Sequence, residues 1–106
     1  MEPWNNFKMR QFENIDLIRD YFLTKPVKKA FLFGSVSRGE SSHESDLDIL
    51  VELDYSMPIG LAFVQMQLEL EDILQKKVDL VSSNSLSKYI KPFVDQDKIL
   101  IYERPQ

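Results

Sequence analysis

Asp46 and Asp48 stand two residues apart in the stretch Ser45-Asp46-Leu47-Asp48-Ile49-Leu50-Val51. Side chains at i and i+2 of an extended strand leave the same face, so this spacing sets two carboxylates side by side. Asp is disfavoured in strands, and the pair interrupts an otherwise apolar run. Their repulsion makes sense if a divalent cation sits between or beside them. Asp79 repeats the anomaly in Val78-Asp79-Leu80-Val81, mid-strand between apolar neighbours, where burying a lone carboxylate is costly. A sheet that pairs the two strands brings three carboxylates together. Three Asp oxygens and a triphosphate are a hard-ligand set for Mg²⁺, and two such ions about 3.5–4 Å apart can stabilise attacking and leaving oxygens together.

A second cluster is the run Phe33-Gly34-Ser35-Val36-Ser37-Arg38-Gly39. Gly34 and Ser35 follow an apolar strand and open a helical turn, so backbone N–H groups and the Ser35 hydroxyl could face an anion at a helix N-terminus. Gly34 has no Cβ, which lets a triphosphate approach the backbone. Arg38 could add a charge-assisted contact to a phosphate, or could hold the loop through a carboxylate.

These residues need a scaffold. Ile15, Ile18 and Phe22 recur at i, i+3 and i+7 behind Asn14 as N-cap, and Pro26 ends that first helix. Ala30-Phe31-Leu32-Phe33 reads as a buried strand stopped by Gly34. The strand Asp46–Val51 puts Leu47, Ile49 and Val51 on one face and Asp46, Asp48 and Leu50 on the other. Beyond Pro58 and Gly60, a stripe of Phe63, Met66, Leu70 and Ile73 predicts a long amphipathic helix whose wet face carries Glu69, Glu71 and Asp72. Lys77–Val81 is a third strand, Ser85–Val94 a helix bent or divided at Pro92, and Ile99–Tyr102 a fourth strand. The alternation predicts an α+β fold: one mixed sheet of about four strands with helices packed mainly on one face.

The order Gly34-Ser35, Arg38-Gly39, Ser45-Asp46-x-Asp48 and a distant Asp79 resembles the signature of the nucleotidyltransferases of the DNA polymerase β superfamily. From about Lys28 to Tyr102 the chain is similar to their minimal members, often encoded beside a small helical HEPN-domain protein. The resemblance implies a Mg²⁺-dependent enzyme that moves a nucleoside monophosphate, AMP from ATP in the first instance, to an acceptor hydroxyl. In the better-known members the equivalents of Asp46 and Asp48 hold both metals, and the equivalent of Asp79 binds the catalytic metal and helps activate the acceptor. It also implies a partner: a HEPN-type toxin modified on a tyrosine, with this chain as antitoxin. A module that neutralises such a partner by contact alone, and a transferase acting on an antibiotic-like alcohol, are the alternatives. Ser37 departs from the alanine often found at that position.

Composition narrows the field. The 106 residues fit one domain, 1–106, which leaves an acceptor surface to come from elsewhere or from a dimer interface. A net charge of −4 argues against broad phosphate-backbone binding, so nucleic acid is not the expected partner. With no cysteine there is neither a disulfide framework nor a thiolate metal site, and cytoplasm is the default compartment. Met1–Arg10 has no continuous apolar core of a signal peptide, and no segment has the roughly 18 apolar residues of a membrane span. His43 reads as a solvated loop residue, Glu52 and Asp54 as solvated charges near a strand end, and Trp4, Phe7 and Phe12 as cover for the domain's edge or for a partner.

Overall fold

The computed structural model describes residues 15–34 and 47–105. Four strands, β1 (Val27–Phe33), β2 (Leu47–Leu53), β3 (Val78–Ser82) and β4 (Ile99–Glu103), form one sheet in the order β3-β2-β1-β4. β1 runs antiparallel to both β2 and β4, while β2 and β3 are parallel. A parallel neighbour needs a crossover, and α2 (Gly60–Leu74) supplies it. With α1 (Ile15–Phe22) and α3 (Lys91–Asp97) the architecture is the expected α+β arrangement, with three α-helices among the described residues on a mixed sheet.

Period-two burial explains the layers. Ala30 and Leu32 of β1, Leu47, Ile49 and Val51 of β2, and Val78 and Leu80 of β3 are buried on one face. Ile18 and Phe22 of α1 and Met66, Leu70 and Leu74 of α2 pack against them. On the opposite face Phe31 and Leu50 are covered by Val94 of α3, flanked by Phe33, Val81 and Leu86. Among the described residues, the two larger apolar stripes therefore pack one side, and the shorter helix α3 covers only part of the other. No helix among the described residues is long and apolar enough to cross a membrane.

Several boundaries differ from the sequence expectation. Asn14 lies outside the described residues, and α1 stops at Phe22, short of Pro26, where Lys25 N–H already turns back to Phe22 O at 3.1 Å. β1 begins at Val27 rather than Ala30, because Val27 is buried and pairs with Leu53 although Lys28 and Lys29 mask the pattern. In α2 it is Leu74, not Ile73, that completes the buried stripe. Between β3 and α3 only a 3₁₀ turn, Ser83–Ser85, and a loop intervene. Pro92 does not break a helix there; it sits in the first turn of α3, where a missing N–H costs nothing.

Helix side chains also finish the sheet's edges. Glu71 Oε2 accepts from Val78 N at 3.0 Å, and Gln67 Oε1 accepts from Leu80 N at 3.2 Å, so α2 supplies acceptors to strand β3. Arg19 Nε donates to Ile101 O of β4 at 2.7 Å. Such contacts keep edge strands from recruiting other chains.

Candidate active site

The C-terminal end of β1 and the N-terminal ends of β2 and β3 meet at one end of the sheet. Phe33 is the register partner of Asp48, and Asp48 is the register partner of Asp79. Neighbouring strands lie about 4.8 Å apart, and paired residues on them project to the same face. Asp48 and Asp79 therefore stand side by side, as the sequence expected of strands two and three. The hydrogen bond from Leu47 N to Lys77 O, 3.0 Å, fixes this alignment at the start of both strands. Asp48 is half-buried, while Asp79 is exposed rather than sunk between its apolar neighbours, because the alternation turns it away from the side that holds Val78 and Leu80.

Gly34 closes β1 with φ of +75°, a left-handed conformation that side chains resist. A Cβ placed on it would lie 2.3 Å from Asp48 Oδ2. The space beside Gly34, expected to admit a phosphate, also takes the carboxylate of Asp48. Glycine and aspartate thus form one unit, packed across two strands.

Ser35, Arg38 and Asp46 lie outside the described residues, as do Gly39 and His43. Among the described residues Asp48 and Asp79 are not joined by a third His, Cys, Asp or Glu in a metal-sized group. The donors that are described suit a hard divalent cation: two carboxylates in register, one open to solvent, at a sheet end beside a glycine turn. Their chemistry is that of oxygen ligands whose mutual repulsion a cation removes.

Two features were not legible as paired groups. Asp54, expected as a solvated charge beyond β2, accepts from Ser56 N at 3.0 Å, from Ser56 Oγ at 2.5 Å and from Arg104 Nη1 at 2.8 Å. The Ser56 hydroxyl, then the Arg104 guanidinium, hold its carboxyl down at about 2. Tyr21 donates its hydroxyl to Glu69, and partial burial followed by that carboxylate pushes the phenol above its ordinary range. Both join segments distant in sequence, which no local pattern announces, and both lie away from Asp48 and Asp79.

Comparison with known proteins agrees with the geometry. Residues 13–106 match the family described as polymerase beta nucleotidyltransferase. Protein adenylyltransferase MntA of Thermococcus cleftensis is 36% identical over 75 residues, 71% of this chain and 75% of that protein. MJ0126 of Methanocaldococcus jannaschii is 40% identical over 77 residues, 71% of this chain and 76% of its own length. A toxin–antitoxin crystal structure with AMP-PNP superposes with a TM-score of 0.68 at 25% identity, covering 90% of this chain and 76% of the other. A mutant MntA-HpeT toxin–antitoxin structure gives 0.61 at 28% identity, with 85% and 69% covered. Matched along almost all of its length, the chain belongs to the polymerase β nucleotidyltransferase family, among the minimal enzymes of the adenylyltransferase type.

Proposed function

We propose that the chain moves AMP from ATP, with Mg²⁺, to a hydroxyl on a HEPN-type partner protein and so acts as its antitoxin. The observation that carries this reading is the register pair Asp48 and Asp79 beside Gly34. It is supported by similarity to a protein adenylyltransferase and to toxin–antitoxin structures, one of them with AMP-PNP.

Asp46, Asp48 and Asp79 would hold Mg²⁺, which when bound neutralises the triphosphate and polarises the α-phosphorus. Gly34 and Ser35 would seat the triphosphate, with Arg38 on its outer oxygens. The partner's hydroxyl oxygen forms a bond to the α-phosphorus, the bond from that phosphorus to the bridging β-phosphate oxygen breaks, and pyrophosphate leaves. Asp79, the exposed member of the pair, would accept the hydroxyl proton and pass it to solvent. Positioning and charge complementarity supply the rate.

The test is intact-mass spectrometry of the HEPN-domain protein from the same organism after incubation with this chain, ATP and Mg²⁺. Steps of about 329 Da per AMP unit are expected, as in-line phosphoryl transfer requires. Asp48→Asn, nearly isosteric, should abolish them, since it removes one of the carboxylate charges that would hold the metal. A partner inhibited in a tight complex with unchanged mass would make the chain an antitoxin by contact alone.

A further inference from the structure

The geometry points to the start of α3 and the turn before it, Tyr89, Ile90 and Phe93, as the docking surface for the acceptor protein, which would meet it with an apolar patch rimmed by acidic side chains. The inference rests on the reading above, in which the acceptor is a protein.

Three large apolar side chains within five residues are 76%, 55% and 70% exposed. Their direction follows from the helix. Val94 points down onto Phe31 and Leu50. At about 100° per residue, Lys91, Asp95 and Lys98 then leave one flank of α3, and Ile90 and Phe93 the other. Lys91 Nζ and Lys98 Nζ both bind Asp95, at 2.7 and 3.0 Å, so the first flank is internally paired. It lies over β1, since Lys98 Nζ is 4.5 Å from the centroid of the Phe31 ring. The second flank consequently faces β2 and β3. Those are the strands that carry Asp48 and Asp79, on this same side of the sheet, with Asp48 two residues along β2 from Leu50. Among the described residues, this apolar flank lies on the side of α3 toward the strands that carry the carboxylates.

Charge distinguishes the occupant. Residues 87–98 contain Lys88, Lys91 and Lys98 against Asp95 and Asp97, a local balance of 3 − 2 = +1. The remainder of the chain has 13 − 3 = 10 basic and 17 − 2 = 15 acidic residues, a balance of −5. The segment therefore lacks the acidity of the rest of the chain, and since Lys91 and Lys98 pair with Asp95 on the other flank, the cation at the patch's rim is Lys88, its Nζ 5.4 Å from the Tyr89 ring centroid. Aromatic residues beside cations favour a protein surface with an apolar centre and acidic rim. Leu61, Val64 and Leu68 on α2 are also exposed, yet they belong to the helix on the opposite face and offer a control.

The experiment measures binding of the same HEPN-domain protein to the full chain, together with AMP transfer and calorimetric ATP·Mg²⁺ binding. Ile90→Ser with Phe93→Ser should weaken partner binding by about ten-fold or more, the scale of buried interface anchors, and raise KM for the protein acceptor. ATP binding should not change. Lys88→Glu should weaken the partner at low salt and less at high salt. Leu61→Ser with Val64→Ser should bind and transfer like the parent. Wild-type affinity in both α3 variants, an equal loss in the α2 variant, or no binding by the parent chain would each overturn the docking surface. Binding through α3 without any mass change would keep the surface and remove the transferase reading. Transfer that ignores the α3 variants would do the reverse.

Discussion

At the scale of single residues, Gly34 and Asp48 constrain each other. Gly34→Ala meets two obstacles together: a left-handed φ of +75° and a Cβ 2.3 Å from the Asp48 carboxylate oxygen. The backbone part costs about 1–2 kcal/mol in an L residue. For a domain of this size each kcal/mol lowers the melting temperature by about 4–8 °C. The carboxylate must also swing aside, so transfer should fall further than stability does. Parallel thermal melts and single-turnover assays check this, and a variant that keeps full activity would show that Asp48 has no fixed position to lose. The pairing of Asp48 and Asp79 was legible because both violate strand preference within short windows. The role of Gly34 was legible only by half. A turn glycine is visible in sequence, whereas the side chain it makes room for lies on another strand, and only register brings the two together.

At the scale of elements, the long helix was legible from its period, and its polar side was misread for a physical reason. Glu71 looked like part of a wet face, yet its carboxylate serves Val78 N–H, a contact no window along α2 contains. Glu71→Ala strands a part-buried donor at the start of the strand that carries Asp79, which should cost about 1–3 kcal/mol in urea unfolding. Asp72→Ala, an exposed neighbour, should cost far less. The segment before Pro92 failed differently: its spacing admitted a helix from Ser85, but Pro92 favours a first turn, so α3 starts there and swings Val94 onto Leu50. The end of β2 is tied to the chain's last strand by Asp54 and Arg104. Asp54 is held at about 2, below its ordinary 3.8, so this tie stabilises above pH 4 and is lost as pH falls toward 2. Asp54→Ala should lower the melting temperature at pH 7, and the difference from the parent should vanish near pH 2.

At the scale of the whole molecule, the two faces of the sheet differ. Among the described residues, α1 and α2 pack one side with the larger core, and on the other side α3 covers Phe31 and Leu50 but no described helix covers Asp48 and Asp79. The chain carries a net charge of −4, and this second face presents carboxylates. A nucleoside triphosphate bound at the proposed site would bring several more negative charges to the same place. At about 4 Å two unit charges repel by about 1 kcal/mol in water and about 4 kcal/mol at the effective dielectric near a protein surface. The triphosphate and the aspartates therefore exclude each other unless a cation lies between them. ATP binding measured by calorimetry should accordingly need Mg²⁺ or Mn²⁺ and weaken by about ten-fold or more when a chelator removes the metal, a conservative translation of that repulsion. Neutralising one carboxylate gives the matching control. In Asp79→Asn the metal-free affinity should rise toward that of the parent with metal, because one repulsive charge is gone while the fold, which leaves Asp79 exposed, is untouched. Equal affinity of the parent chain with and without metal would show that the aspartates do not act as a metal site, and that this face binds nucleotide by other contacts.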